Sequence, residues 1–199
     1  MTMLRLNLGC GAQRLPGYIN VDKYGEPDVQ HDLECFPWPW ADDSVGEVVM
    51  NHVLEHLGHD PQVYLGIMKE LYRVCSHGAT VHIVVPHHRH DFFHDDPTHV
   101  RAITPLGLSL FSQRLNRDWL ARGGANTPLG LYLGIDFELV ETRYKPGALW
   151  YQLHPGPQVD LNALLHESAL CSNLIEELHM RIRPLKPPGS ALGAPPSSP

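Results

Sequence analysis

An α/β domain on a mostly parallel sheet is predicted by three observations. A short apolar strand runs straight into a Gly-x-Gly turn at Gly9 and Gly11. Further strand-like segments follow, then one amphipathic helix, then a strongly β-branched strand, an alternation that marks βαβ architecture. The chain has 199 residues and is 43% hydrophobic, enough for one core and one domain.

The elements follow in order. Residues 4–8, LRLNL, alternate and read as the first strand. Residues 18–21 form a second, ending at Asp22, and residues 29–32 a brief third. The segment Phe36-Pro-Trp-Pro-Trp40 interrupts regular structure, because proline donates to neither helix nor ladder. Its aromatics read as a lid or as core packing. Residues 45–50, VGEVVM, are a buried-type strand. Residues 61–74 carry apolar side chains at Val63, Leu65, Ile67, Met68, Leu71 and Val74, a helical spacing with proline in the first turn. Ser76-His-Gly78 is read as its stop, with Gly78 as a left-handed cap. Residues 79–85, ATVHIVV, form a strand that Pro86 ends. Residues 104–122 look helical again, and 136–144 and 175–182 alternate as an antiparallel edge pair. One domain is expected over 1–183, divided near residues 86 and 87. The Pro/Gly/Ser/Ala-rich stretch 184–199 is expected to be a disordered tail.

Composition narrows the function classes. The net charge of −7 argues against a duplex nucleic-acid binder, which needs basic patches to neutralise phosphates. Cys10, Cys35, Cys75 and Cys171 form no C-x-x-C pair, so a zinc knuckle or a dithiol redox site is not expected. The N-terminal stretch before the glycine turn is too short for a signal peptide, and no run of about 18 apolar residues is present. A soluble, reduced, cytoplasmic protein is the expectation.

A strand ending in Gly-x-Gly lets the backbone approach a ligand without Cβ collision. Asp22 closes the next strand, where a carboxylate accepts hydrogen bonds from ribose hydroxyls. A tight turn without a ligand explains the glycines equally well. Arg14 stands where a dinucleotide fingerprint has its third glycine, and Pro16 limits any helix after the turn.

Leu6-Asn-Leu-Gly-Cys-Gly11, Gly17-Tyr-Ile-Asn-Val-Asp22, His31-Asp-Leu33, Asn51-His-Val-Leu-Glu-His-Leu57 and Glu70-Leu-Tyr-Arg-Val-Cys-Ser-His-Gly78 occur in that order. Together they resemble the class I S-adenosylmethionine-dependent methyltransferases, in particular the small type 11 group, over about residues 4–105. The resemblance implies a Rossmann-like fold, its mostly parallel central sheet flanked by helices, and S-adenosyl-L-methionine as cofactor. It places Gly9 and Gly11, with Cys10 between them, under the methionine part. It gives Asp22 the ribose, Asp32 and Leu33 the adenine, and Asn51 and His52 the sulfonium side. The chain departs from the pattern at three places. Only a loop fits between Asp22 and Asp32, Gly46 stands where many relatives carry Asp, and the usual glycine pair is reduced to Gly78.

Residues 87–101 hold His87, His88, His90, His94 and His99 after a strand that should end at the site. Asp96-Pro-Thr-His99 resembles a motif of the same group. His99, Asp96 and His87 are therefore the candidates for positioning or deprotonating the methyl acceptor, with Phe92 and Phe93 as an apolar wall. A metal held by His87, His90, His94, Asp95 and His99 is a competing reading, but the spacing matches no familiar pattern and no metal is assigned. His52-Val-Leu-Glu-His56 spells H-x-x-E-H, a zinc-protease string if helical. The expected reaction is methyl transfer to an O or N atom of a small molecule or saccharide. A non-catalytic binding module and a metal-dependent hydrolase are the alternatives.

Overall fold

The computed structural model describes residues 2–187. A seven-stranded sheet has the order β3-β2-β1-β4-β5-β7-β6. Its strands are β1 (Leu4–Leu8), β2 (Ile19–Asp22), β3 (Val29–Gln30), β4 (Val45–Asn51), β5 (Cys75–Pro86), β6 (Phe137–Pro146) and β7 (Ile175–Pro184). The first five pair in parallel, and β7 pairs antiparallel with both β5 and β6. The strand order reverses between β1 and β4, so their carboxyl ends flank a natural ligand crevice.

The helices are α1 (Pro61–Val74), α2 (Asp91–Asp95), α3 (Pro105–Ser109), α4 (Gln113–Ala121), α5 (Leu129–Leu133), α6 (Ala148–Leu153) and α7 (Leu161–Ser168). In α1, Asp60 caps the first turn by accepting from Gln62 N at 2.8 Å, and Pro61 opens the helix. The helix buries Tyr64, Ile67, Met68, Leu71, Tyr72 and Val74, three to four residues apart, against the sheet. Phe111, Phe137 and Trp150 are almost fully buried in the same core. None of the described helices is long and apolar enough to cross a membrane.

The two faces of the sheet differ. Leu6, Leu8, Val48, Met50, Val81, Ile83, Met180 and Ile182 point into the core and are at most 2% exposed. Among the alternate residues, Arg5, Glu47, His82 and Arg181 are titratable and at least partly exposed. Arg5 donates to Glu47 at 2.7 Å, Tyr18 donates to the other Glu47 oxygen at 2.7 Å, and Arg183 donates to Glu138 at 2.5 Å. These cross-strand pairs keep a half-open face polar. No helix stands between β1 and β2 or between β2 and β3, in keeping with the loop-length gap read from the sequence.

Two expectations are corrected. Gly78 does not cap α1. It has φ +73° but lies inside β5, whose register against β4 jumps between Val45 and Glu47. The helix stops at Val74 because the fully buried Cys75 pairs at once with Val45. Residues 104–122 are two helices. Thr104 caps the first, Ser112 caps the second, and between them the Phe111 carbonyl accepts from Phe137 N at 3.0 Å. Pro184, Leu185 and Lys186, which fall in the expected tail, are packed onto the domain. Leu185 N donates to the Asp136 carbonyl at 2.8 Å, and Tyr72 Oη donates to the Leu185 carbonyl at 2.8 Å. Lys186 is buried, donating to the Arg73 carbonyl at 3.1 Å and to Asp43. Residues 188–199 lie outside the described residues.

Candidate functional site

The crevice at β1 and β4 opens as two adjoining clefts that share Gly9 and His52. One, of about 190 Å³, is lined by Gly9, Asp22, Asp32, Leu33, His52 and Val53, with Lys23, His31, His56 and Leu57 at its margins. The other, of about 440 Å³, is lined by Gly9, Cys10, Gly11, Gln13, Asn51 and His52, among others. Every residue that the resemblance ties to the cofactor therefore lies along this one crevice.

Its geometry follows from the turn. Gly9 has φ +66° and Gly11 φ +49°, a conformation that favours glycine. Cys10 N donates to the Val21 carbonyl at 3.0 Å, which ties the turn to β2. Burial raises the Cys10 thiol pKa, so it is no activated nucleophile. Gly11 N donates to Asp22 Oδ2 at 2.8 Å and Tyr24 N to Asp22 Oδ1 at 2.9 Å. The carboxylate is fixed while each oxygen keeps a further lone pair for a ligand. Asp32 Oδ1 accepts from Glu34 N at 3.0 Å, and its other oxygen stands 3.9 Å from Lys23 Nζ. Trp38 Nε1 donates to the Leu33 carbonyl at 3.0 Å, so the Leu33 wall of the smaller cleft hangs on a buried indole. Trp38 and Trp40 are core packing, whereas Phe36 lies half-exposed over Gly66, where an added Cβ would meet its ring at 2.6 Å.

His52 sits at φ +53°, and only the single 3₁₀ turn Leu54–His56 follows it. The H-x-x-E-H string is thus not a helix face. His52 Nδ1 is 3.3 Å from Glu55 and Nε2 is 3.4 Å from Glu177, and these carboxylates, Glu55 foremost, raise the His52 pKa above its ordinary value.

Of the acceptor-side candidates, the structure gathers two. His99 and Asp96 stand with His56 and Thr98, and the His56 and His99 ring centroids are 4.6 Å apart. Hydrogen bonds from the Thr98 side chain and backbone N–H hold the Asp96 pKa below the usual carboxylate range. Phe93 stacks on His99, while Phe92 is exposed. His87 is not brought to this group and lines neither cleft. It is 8% exposed and accepts from Arg89 N at 3.3 Å, and burial drives its pKa down to about 4. Such an imidazole is a weak base near neutrality. Glu55, His56, Val53 and Lys23 lie at the site without having been assigned to it. The H-x-x-E-H string was the signal for the first two.

The His87 shift has a consequence for stability. Because its folded pKa is depressed, the unfolded chain binds the extra proton first as pH falls below about 6.5. Stability should therefore decline between about pH 6.5 and 4, with His87 contributing about 2 kcal/mol of that loss by pH 4.5. Urea unfolding of the wild type and His87→Asn at pH 7 and 4.5 measures the difference. Identical pH dependence in the two proteins would contradict it.

No protein-family model matches the chain, and no curated protein matches it. Solved structures do. A SAM-dependent methyltransferase from Archaeoglobus fulgidus aligns with TM-score 0.59 at 17% identity, over 91% of this chain and 86% of that one. A SAM-dependent methyltransferase from Methanosarcina mazei aligns with TM-score 0.52 at 14% identity, over 94% and 95%. With its five parallel strands, antiparallel β7 and crevice at the β1–β4 reversal, the chain has the Rossmann-like fold of these S-adenosylmethionine-dependent methyltransferases.

Proposed function

We propose that this protein is a methyltransferase that uses S-adenosyl-L-methionine to methylate an O or N atom of a small molecule or saccharide. The observation that carries the reading is the pinned Asp22 carboxylate beside the Gly9–Gly11 turn, at the strand-order reversal. The residues present fit the cofactor. A glycine turn without side chains, a fixed carboxylate at ribose position, and a second carboxylate next to the buried Leu33 match the parts of an adenosyl group. The cofactor supplies an electrophilic methyl on a cationic sulfonium.

In this reading Asp22 accepts from the ribose hydroxyls, and Asp32 accepts from the adenine amine while Leu33 packs its face. Gly9, Cys10 and Gly11 lie under the methionine part, with Asn51 and His52 on the sulfonium side. His56, His99 and Asp96 position the acceptor. Holding the two reactants in line can supply most of the rate. The net charge of −7 supports a small or uncharged acceptor over a polyanion.

Asp22→Ala is expected to weaken S-adenosylhomocysteine binding by about 1–3 kcal/mol, roughly 5- to 150-fold, through lost hydrogen bonds. Incubation with methyl-labelled S-adenosylmethionine and pools of hydroxylated and amino acceptors tests the reaction itself. Label should enter an acceptor with the wild type and fall sharply with Asp22→Ala. Equal labelling by the variant would remove Asp22 from the site.

A further inference from the structure

Glu55, His56 and His99 form a cluster that cofactor binding does not explain. One carboxylate oxygen and one ring nitrogen from each histidine lie within 4.8 Å of one another. They are the only such group of three or more His, Cys, Asp or Glu side chains among the described residues. The remaining histidines of the 87–99 loop do not join it.

The Glu55 carboxylate is the informative member. The residue is 0% exposed, yet neither carboxylate oxygen has a hydrogen-bond partner. His52 Nδ1, 3.3 Å from Oε1, is an ion-pair partner that does not meet hydrogen-bond geometry. One ion-pair contact with no hydrogen bond leaves a buried carboxylate poorly satisfied, and such a group calls for a missing water or cation.

The two histidines point to a cation. His99 Nδ1 is 2.8 Å from the Phe93 carbonyl, which can only accept, so Nδ1 carries the proton and Nε2 the lone pair. His56 Nδ1 is 2.8 Å from Thr98 Oγ1, and that hydroxyl already donates its proton to Asp96 Oδ1 at 2.6 Å. Thr98 must therefore accept from His56, which also leaves Nε2 free to ligate. Backbone carbonyls and carboxylates placed behind histidines in this way are what orient metal ligands. Here the Asp96–Thr98–His56 chain and the Phe93 carbonyl do so.

We propose that Glu55, His56 and His99 bind a divalent first-row transition-metal ion such as Zn²⁺. Two imidazoles and one carboxylate suit such an ion, at bond lengths of about 2.0–2.2 Å. The candidate ligand atoms all lie within 4.8 Å of one another, within reach of a shared ion after small side-chain shifts. Three protein ligands leave coordination positions open, and His56 lines the adenosyl-side cleft with Gly9 and Asp22. An open position takes an oxygen of the methyl acceptor. This last role rests on the methyl-transfer reading, whereas the ion site does not.

The test uses chelator-treated full-length protein titrated with Zn²⁺ by calorimetry and with Co²⁺ by visible absorption, which reports coordination number. One ion per chain is expected. Affinity should fall at least about 100-fold in His99→Ala and in the isosteric Glu55→Gln, about 10-fold in Thr98→Val, and not at all in His94→Ala. Circular dichroism and thermal unfolding show that His99→Ala is folded, and S-adenosylhomocysteine titrated into the same samples separates the two claims. Metal binding without nucleoside binding would overturn the methyltransferase reading alone. No one-to-one metal binding, or binding unchanged by both His99→Ala and Glu55→Gln, would overturn this proposal.

Discussion

Gly9→Ala should destabilise the protein by about 2–5 kcal/mol and abolish measurable S-adenosylhomocysteine binding. Two costs add at this position. Gly9 has φ +66°, where an L-residue loses about 1–2 kcal/mol. Its added Cβ would stand 2.5 Å from Val53 Cγ2 and 2.7 Å from Cγ1, with Val53 itself 7% exposed. Overpacking of that kind costs about 1–3 kcal/mol. Val53 also lines the smaller cleft beside Asp22, so any relief by moving it deforms that cleft. Gly11 separates the two effects. It has φ +49° with nothing within 4 Å of an added Cβ, so Gly11→Ala bears the strain alone, about 1–2 kcal/mol. Urea midpoints of both variants provide the comparison. A Gly9→Ala protein as stable as wild type would show that the turn is not held as described.

Arg73→Ala is expected to cost about 2–4 kcal/mol, because one guanidinium there joins α1 to the loop that runs through Trp38, Trp40 and Asp42. It donates to both Glu70 oxygens at 2.8 and 2.7 Å, to the Trp40 and Trp38 carbonyls at 2.9 and 3.0 Å, and to Asp42 at 2.6 Å. Its side chain is 20% exposed and that of Glu70 13%, so removal leaves partners poorly hydrated. Glu70 also accepts from Trp38 N at 2.6 Å. The Phe36–Trp40 segment, which two prolines keep out of regular structure, is thereby clamped to α1. Trp38 in turn holds the Leu33 carbonyl, so the damage should reach the cleft and weaken S-adenosylhomocysteine binding as well. Arg73→Lys should recover little, since a point charge cannot span this fork of acceptors. Thermal unfolding of Arg73→Ala and Arg73→Lys checks this. Full recovery by lysine would reduce the clamp to simple charge pairing.

What could be read from the sequence was local. The alternation in β1, the β-branched run in β5 and the apolar spacing of α1 each carry their own period, so the parallel half of the sheet was legible. The β6–β7 pair was legible for the same reason. Gly78 misled because its left-handed φ serves a strand irregularity created by pairing with β4, a tertiary demand that the helix sequence does not contain. Residues 104–122 kept a helical pattern across a break that exists because Phe111 is fully buried and its carbonyl is taken by β6. The helix α7 went unread although Asp160 caps it through Asn162 N and Ala163 N. Its eight residues bury little beyond Leu164 and Ser168, so its apolar stripe is weak.

The site divides along the same line. Gly9, Asp22, Asp32 and Leu33 follow one another closely and carry motif-like spacing, so they could be named before the fold was seen. The Glu55–His56–His99 cluster could not be, since His56 meets Thr98 across 42 positions and only folding brings them together. His87 shows the opposite failure. Its place at the end of β5 read as catalytic, yet burial leaves it neutral and away from the crevice.

The most direct test of the adenosyl-binding claim is calorimetric titration of the purified protein with S-adenosylhomocysteine, alongside Asp22→Ala. Saturable one-to-one binding, roughly 5- to 150-fold weaker in the variant, is the predicted result. A folded wild type that takes up no ligand would contradict the account.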